Sequence, residues 1–200
     1  MKTRRRKSAQ KPGRRVGQMR PFTPENILML ESKLRTDESI TGTRDLALLR
    51  VGIDTMLRSI DVVNLTVGDV VRGGEVMSEF TTKQKKTKRP VECALLEDTR
   101  DALKAWLDQA GIAAPEARLF SISTRQHQRI VKQWCDLLNL DGSMYSTHSI
   151  RRTKPSAMYA QTKNIAEVKE LLGHSNSKAT ELYLGVDRKS ALEAAKRFKI

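Results

Sequence analysis

Long apolar runs and aromatic residues are both scarce in this chain of 200 residues. No stretch approaches the roughly 20 consecutive apolar residues that a membrane-spanning helix needs. No apolar segment follows the basic N-terminus, as it would in a secretory signal. Only 4% of the residues are aromatic, and they are scattered singly along the chain. The composition therefore argues against a membrane protein and against an RNA-binding module that stacks bases on aromatic side chains.

Cysteine is also rare, since Cys93 and Cys135 are the only two in the sequence. They do not have CxxC spacing, so we predict neither a disulfide framework nor a cysteine-based zinc site. The sequence also lacks a P-loop and a GxGxxG motif, which argues against a mechanism driven by nucleotide binding. We expect a cytoplasmic protein.

Positive charge, in contrast, is abundant and unevenly placed. Lys and Arg number 37 against 23 Asp and Glu, which gives a formal net charge of +14. Residues 1–20 contain no acidic residue and nine of the basic ones, namely Lys2, Arg4, Arg5, Arg6, Lys7, Lys11, Arg14, Arg15 and Arg20. Such a basic arm favours binding to a polyanion, above all nucleic acid, because binding releases the condensed counterions. Removing the arm is expected to weaken DNA binding and to flatten its salt dependence.

Beyond the flexible arm of residues 1–20, the pattern predicts one folded domain over 21–200 of mainly α character. A helix is expected to begin at Thr23, where Pro24 and Glu25 form a helix-start signal. Further helices are predicted over 43–57, 59–65, 98–111, 123–138, from 147 onward, over 164–172 and 177–184, and as a C-terminal tail over 187–200. Three short strands are predicted over 67–71, 76–82 and 90–95, with a tight turn at Gly73-Gly74, forming one small antiparallel three-stranded sheet.

Three short patterns in the second half of the domain combine residues with chemical potential. His148 and Arg151 are three residues apart, so they lie on one face of a helix. His174 follows Leu171-Leu172-Gly173, where a helix is predicted to end, and Tyr183 comes nine residues later. Each pattern alone is weak, because a single histidine at a helix end or a single tyrosine at helical spacing is usually structural.

Together with an earlier helix, these patterns resemble the tyrosine recombinase, or phage integrase, family over residues 22–185. The segment from Asp45 through Leu57-Arg58 to Asp61 resembles the first signature of that family: an apolar helix, a turn ending in Leu-Arg, and an acid three residues later. The second and third signatures resemble His148-Ser-Ile-Arg151 and Leu-Leu-Gly-His174 followed by Tyr183. Their order and spacing both agree with the family.

The resemblance implies a catalytic domain that breaks and rejoins DNA through a 3′-phosphotyrosyl intermediate. Tyr183 would be the nucleophile, since a tyrosine holds the phosphate covalently and its phenolate leaves readily on rejoining. Arg58, Arg151 and His174 would stabilise the charge that develops on the phosphate oxygens. His148 would be a general base or a further phosphate donor, and Asp61 would orient Arg58. This set demands no metal or other cofactor.

The family also uses a lysine between two strands to protonate the leaving 5′-oxygen. Gln84-Lys85-Lys86-Thr87 matches the Gln-x-Lys-Thr found in several relatives, so Lys86 is our choice for this acid, with Lys83 as the alternative. The neighbouring basic residues are expected to contact DNA phosphates without taking part in the chemistry. The predicted DNA contacts of the domain are Lys83, Lys85, Lys88, Arg89 and Arg152.

Two departures from the family bear on partners and fold. Pro155 lies where a helix is expected, which implies either a kink or a helix start just after Arg151. Typical members also carry a further N-terminal helical domain that clamps the duplex; here the basic arm would substitute for it, or an accessory protein would supply it. Double-stranded DNA is the expected partner, and the chain is expected to assemble into oligomers on it. An accessory or regulatory DNA-binding protein with the same fold and little cleavage activity is the alternative function.

Overall fold

The computed structural model of the chain describes residues 19–172. The basic arm up to residue 18, the predicted helix over 177–184 and the tail over 187–200 lie outside the described residues, as do His174 and Tyr183. The described part contains eight α-helices, four short strands and one turn of 3₁₀-helix over Gly142–Met144. Within it, no helix combines the length and the apolar character needed to cross a membrane.

The described part of the domain begins with two helices that pack against each other. Helix α1 (Pro24–Thr36) begins as predicted, because the Thr23 hydroxyl accepts the Asn26 N–H and the Asn26 side chain accepts the Thr23 N–H. Helix α2 (Ile40–Thr55) starts three residues before its predicted position, because Ser39 supplies the N-cap by accepting the Gly42 N–H. It ends at Met56, whose left-handed backbone (φ 51°) turns the chain toward Arg58.

Helix α2 is the centre of the domain, packed against α1, α5 (Glu97–Ala110) and α7 (Thr147–Thr162). Leu48, Leu49 and Val51 in α2 have no exposed surface. Gly52 allows the close approach of α7, since a Cβ atom there would lie 2.8 Å from Cγ2 of Ile150. This tight contact sets the distance between the segment that leads to Arg58 and the helix that carries His148 and Arg151.

The remaining helices largely follow their predictions. They are α3 (Ser59–Val62), α6 (Thr124–Leu137) and α8 (Ile165–Leu171). Helix α5 ends where predicted, at Gly111, which adopts a left-handed conformation (φ 63°). Helix α7 starts at Thr147 and continues through Pro155 to Thr162, so the predicted alternative of a helix start after Arg151 is wrong.

The predicted strand over 67–71 is wrong, because residues Val67–Val70 form a short helix, α4. The run of valines favoured a strand, but Asp69 accepts hydrogen bonds from the N–H and hydroxyl of Thr66 and so stabilises a helical turn. Val67 and Val70, three residues apart, are both buried by that turn. Only Val71–Arg72 remains extended, as strand β1.

The strands form two separate two-stranded antiparallel sheets, which corrects the predicted three-stranded sheet. The first pairs β1 with β2 (Glu75–Val76) around the predicted Gly73-Gly74 turn. The second pairs β3 (Glu79–Lys83) with β4 (Pro90–Ala94), with Phe80 opposite Cys93 and Lys83 opposite Pro90. The predicted strand over 76–82 is divided between two partners, since Val76 pairs with Val71 and the pairing with β4 begins at Glu79 opposite Ala94. The β3–β4 hairpin presents the basic segment between its strands.

Candidate active site

Arg58 lies at the N-terminus of α3 and is held by a side chain of the β3–β4 hairpin. The guanidinium is half-buried, and its Nη1 donates a hydrogen bond to Oε1 of Gln84. Gln84 is only 2% exposed, and the same Oε1 accepts the hydroxyl of Thr87 at 2.9 Å. A single buried carbonyl oxygen therefore joins the first predicted arginine to the segment that contains Lys86.

Asp61 makes a contact that differs from the predicted one. Its Oδ1 accepts the backbone N–H of Lys85 at 2.7 Å, and within the described residues no hydrogen bond or ion pair links its carboxylate to the Arg58 guanidinium. Its other oxygen, Oδ2, is buried and has no hydrogen-bond partner among those residues. Asp61 thus fastens the hairpin turn to α3, and the side chain that contacts Arg58 is Gln84.

Arg151 is 3% exposed and is anchored between the C-terminal ends of two helices. Its Nη1 donates to the carbonyl of Met56, which ends α2, and its Nη2 donates to the carbonyl of Leu172 at 3.1 Å, which ends α8. These carbonyls lie at the negative ends of the helix dipoles, where a guanidinium is stabilised. Arg151 therefore connects the segment just before Arg58 to the segment just before His174.

His148 lies in the first turn of α7 at the protein surface, beside several cations. Partial burial lowers its pKa below the ordinary value, and the positive charges of its neighbours lower the pKa further; these neighbours are Arg151, Arg58, Lys86 and Arg152. The structure therefore brings the predicted catalytic residues Arg58, Lys86 and Arg151 within electrostatic range of His148. With a lowered pKa, the imidazole is neutral at pH 7 and is able to accept a proton.

The exposed basic residues of the hairpin differ in how they are placed. Lys86 lies in the turn itself, whereas Lys83 is the last residue of β3 and is fixed in the ladder opposite Pro90. The charge of Lys86 is among the main effects that lower the pKa of His148, and the charge of Lys83 is not. This placement supports the choice of Lys86, which remains a prediction.

The residues predicted to contact DNA differ in how exposed their side chains are. The hairpin residues Lys83, Lys85, Lys88 and Arg89 all have exposed side chains. Arg152, in contrast, is only 6% exposed and has interaction partners in the protein, so its contact with DNA stays a prediction that the burial of its side chain does not favour. Helical periodicity explains the difference, since α7 packs this side of its first turns against the domain. The arm residues Arg4, Arg5, Arg6, Lys7, Arg14 and Arg15 lie outside the described residues.

Two residues near the site were missed by sequence reasoning. Gln84 was used only as part of the pattern that selects Lys86, although that pattern already marked its position. His127 lies on the apolar stripe of α6 with Ile130, Val131 and Trp134, a periodicity that predicts burial. Its Nδ1 is 3.0 Å from the hydroxyl of Ser59, the residue after Arg58, and burial lowers its pKa to about 4. His127 is thus a neutral packing residue that joins α6 to the start of α3.

In the described part of the chain, the site contains cationic side chains and no cluster of metal ligands. Between residues 19 and 172, His, Cys, Asp and Glu side chains form no group of three or more that is able to hold a metal ion. The charged groups gathered around His148 are instead cationic, which suits the binding of a phosphate.

Proteins similar in sequence include recombinases of bacteria. The tyrosine recombinase XerC of Caldanaerobacter subterraneus is 29% identical over 179 residues, covering 85% of this chain and 50% of the relative. The probable integrase/recombinase YoeC of Bacillus subtilis is 28% identical over 155 residues, covering 78% of this chain and 84% of the relative. The chain thus spans about half the length of the XerC relative and most of YoeC.

Solved structures share the fold at low sequence identity. The XerH site-specific recombinase in a post-cleavage complex with its palindromic difH substrate superimposes with a TM-score of 0.70 at 17% identity, covering 90% of this chain and 54% of XerH. The catalytic domain of bacteriophage HP1 integrase gives a TM-score of 0.58 at 19% identity, covering 90% of this chain and 95% of that domain. These likenesses confirm the predicted mainly helical, recombinase-like catalytic fold.

A sequence model of a whole family matches most of the folded part. The match runs over residues 22–190, which begins just before α1 and includes the predicted positions of His174 and Tyr183. It spans well over half of the chain and covers all three patterns seen in the sequence. The chain belongs to the phage integrase family.

Proposed function

We propose that this chain is a site-specific DNA recombinase that breaks and rejoins DNA strands through a covalent bond between Tyr183 and a 3′-phosphate. The observation that carries the proposal is the gathering of Arg58, Lys86 and Arg151 around His148, contributed by the start of α3, the hairpin and α7. Such a set of fixed cations beside a neutral base suits a phosphate that gains negative charge during reaction.

The reaction conserves the energy of the phosphodiester bond. The Tyr183 oxygen attacks the phosphorus, the bond between phosphorus and the 5′-oxygen breaks, and the tyrosyl proton passes to His148. The ammonium of Lys86 gives its proton to the departing 5′-oxygen. Rejoining is the reverse: a 5′-hydroxyl attacks the phosphotyrosine, and the phenolate leaves.

The two arginines supply charge that does not depend on pH. A guanidinium remains protonated at any working pH and offers several N–H donors in a planar fork that matches phosphate oxygens. His174 is proposed to add a further donor to the same oxygens. The sequence left two roles open for His148, a general base and a phosphate donor. Its lowered pKa supports the role of general base. We propose that the reaction needs no metal or other cofactor, because cationic side chains supply the stabilisation.

Double-stranded DNA is the proposed substrate and partner, and the protein is proposed to act as a DNA-associated oligomer. Recombination joins two duplexes and requires four strand cuts, so several protomers must meet on DNA. The exposed basic side chains of the hairpin and the arm of residues 1–20 are proposed to bind the phosphate backbone. The XerH relative was solved with its DNA substrate, which is consistent with this assignment.

Covalent trapping on duplexes of random sequence tests the proposal, because the protein itself then selects its target site. The chain is incubated with a library of such duplexes, each nicked so that a cut near the nick releases a short fragment and prevents rejoining. Adducts that survive denaturant are captured and their DNA is sequenced. We expect a defined sequence to be enriched with the wild-type chain in the presence of chelator.

The matched control is Tyr183→Phe, which removes one hydroxyl and leaves every proposed DNA contact in place. We expect this variant to bind the captured sequence and to form no adduct. Binding without any adduct in the wild-type chain would favour the accessory function and contradict the proposed one. A requirement for a divalent metal would contradict the proposed chemistry.

A further inference from the structure

The segment over residues 84–89, here called the lysine turn, is fastened to the start of α3 at two points. Gln84 contacts Arg58 through its side chain, and the backbone N–H of Lys85 donates to Asp61. These two contacts lie on either side of the peptide bond between Gln84 and Lys85. Gln84 and Lys85, the two residues just before Lys86, therefore fix the lysine turn relative to Arg58 and α3.

Gln84 is also the residue that closes the lysine turn. Its N–H donates to the carbonyl of Arg89 and its carbonyl accepts the N–H of Lys88, both at 2.9 Å. Its side-chain oxygen accepts the hydroxyl of Thr87, the residue directly after Lys86. The side chain of Lys86 itself is exposed, so its position depends on the backbone that Gln84 organises.

Gln84 carries no charge, and this determines how much of the positive charge of Arg58 is available to a phosphate. A carboxylate in contact with Arg58 would orient the guanidinium but would offset the charge that a phosphate needs. An amide oxygen restrains the guanidinium through a hydrogen bond and leaves its full positive charge in place. Asp61, the acid nearest in sequence, is instead bonded to the turn backbone.

We infer that Gln84 is a positioning residue that couples the phosphate-binding Arg58 to the general acid Lys86. One buried oxygen accepts from Arg58 and from Thr87, so the guanidinium and the lysine turn hold a common geometry. A displacement of either partner is transmitted to the other. The inference rests on the proposed function, because it assigns Gln84 a role in the same strand cleavage.

The test compares two versions of the duplex captured by covalent trapping. One has the ordinary 5′-oxygen at the scissile phosphate, and the other has sulfur in that position. A thiol is a far stronger acid than an alcohol, so the sulfur leaves without receiving a proton from Lys86. The ratio of the cleavage rates on the sulfur and oxygen substrates therefore reports how well the general acid is placed, independently of the total activity.

Gln84→Met removes the acceptor and keeps the length of the side chain. We expect the sulfur-to-oxygen ratio to rise by on the order of tenfold to a hundredfold, because a misplaced Lys86 slows only the oxygen substrate. Gln84→Glu restores the acceptor, so its ratio should return to the wild-type value. Both rates of that variant should fall together, because the new carboxylate offsets the charge of Arg58.

Thr87→Val provides a second measurement that does not disturb the buried position. Thr87 is exposed, and the change removes only its bond to Gln84. We expect a rise in the ratio of a few-fold, about the effect of one hydrogen bond. Thermal unfolding and DNA binding of all variants establish that they are folded.

The outcomes separate this inference from the proposed function. A wild-type chain that forms no adduct overturns the proposed function before any variant is compared. A wild-type chain that cleaves, with an unchanged sulfur-to-oxygen ratio in Gln84→Met and Thr87→Val, overturns the inference alone. A fall in both rates of Gln84→Met with no change in their ratio also overturns it, because the residue then serves Arg58 only.

Discussion

The two arginines of the candidate site are held in different ways. Arg151 is buried and donates to backbone carbonyls at the ends of α2 and α8, which the packing of the helices fixes. Arg58 is half-buried and is held by the side chain of Gln84, which belongs to a surface hairpin. One arginine is therefore part of the helical core, and the other depends on a turn that bears the proposed acid.

This difference assigns distinct tasks to the two regions. The helical region around Arg151 provides a rigid frame and brings the segment before His174 toward α2. The hairpin region aligns Lys86 with Arg58 through polar contacts that a small movement of the turn would change. We therefore expect substitutions in the two regions to differ in their balance of lost stability and lost chemistry.

The largest effect is expected in the hairpin, for Lys86→Ala. Loss of a general acid should reduce cleavage of the oxygen substrate by about 10²–10⁴-fold, with much less effect on the sulfur substrate. Lys83→Ala is the matched control, and its ratio of rates should stay at the wild-type value. Quenched-flow cleavage of the two substrates measures both. A larger change in ratio for Lys83→Ala would transfer the acid role to Lys83.

The substitutions Arg151→Lys and Arg58→Lys compare the helical region and the hairpin region directly. Both should reduce cleavage by on the order of 10²–10³-fold, since each removes a charged fork from the phosphate. Only Arg151→Lys should also lower the free energy of unfolding, by about 1–3 kcal/mol, because a buried carbonyl loses its donor. Urea denaturation measures this cost. Equal losses of stability would contradict the division into a core arginine and a hairpin arginine.

A smaller effect, on the free energy of unfolding, is expected when His127 is protonated at low pH. This residue contacts the start of α3 through Ser59. Its pKa is about 4 in the folded protein and near 6.5 when unfolded, so the unfolded chain binds the proton in between. The stabilisation is present above pH 6.5 and is lost as the pH falls toward 4, by up to about 3 kcal/mol. His127→Asn should flatten the pH dependence of urea denaturation over this range. If the variant unfolds with the same pH dependence as the wild-type chain, a group other than His127 causes that dependence.

The smallest effect is the pH dependence of cleavage through His148. Its pKa lies below the ordinary value, so the neutral base persists through pH 6.5 and is lost only at lower pH. Below that pKa, the rate should fall by about tenfold per pH unit. Lys86→Met should move the pKa of His148 upward by removing a positive neighbour, as measured by NMR titration of the ring. A pKa that falls would contradict the gathering of these cations.

Sequence reasoning was successful where the chemistry follows from local spacing. The pair His148 and Arg151 needs only helical periodicity to share a face, and Ser123 and Gly111 mark helix ends by their own conformational preferences. Seven of the eight helices in the described residues were predicted to within a few residues for the same reason, and α4 is the exception. Family resemblance added the roles of these residues, which spacing alone does not supply.

The contacts that orient the site were beyond such reasoning. Asp61 is one helical turn from Arg58, which favoured a direct contact, but its carboxylate accepts from Lys85, 24 residues away. Gln84 reaches Arg58 across 26 residues, and only the folded hairpin brings them together. Tertiary hydrogen bonds decided both of these cases. The strand predicted over 67–71 failed for a local reason, the capping of a helical turn by Asp69, and the N–H groups of Val67 and Gly68 then donate to the carbonyls of Ala117 and Pro115.

The proposed reaction depends on a covalent bond between Tyr183 and DNA. Digestion of the trapped adduct with protease and nuclease, followed by mass spectrometry, identifies the modified peptide directly. We predict a nucleotide 3′-phosphate on Tyr183. The chain has two other tyrosines, Tyr145 stacked on Phe22 and Tyr159 beside Lys163. A nucleotide on either of these, or on a serine, would contradict the account.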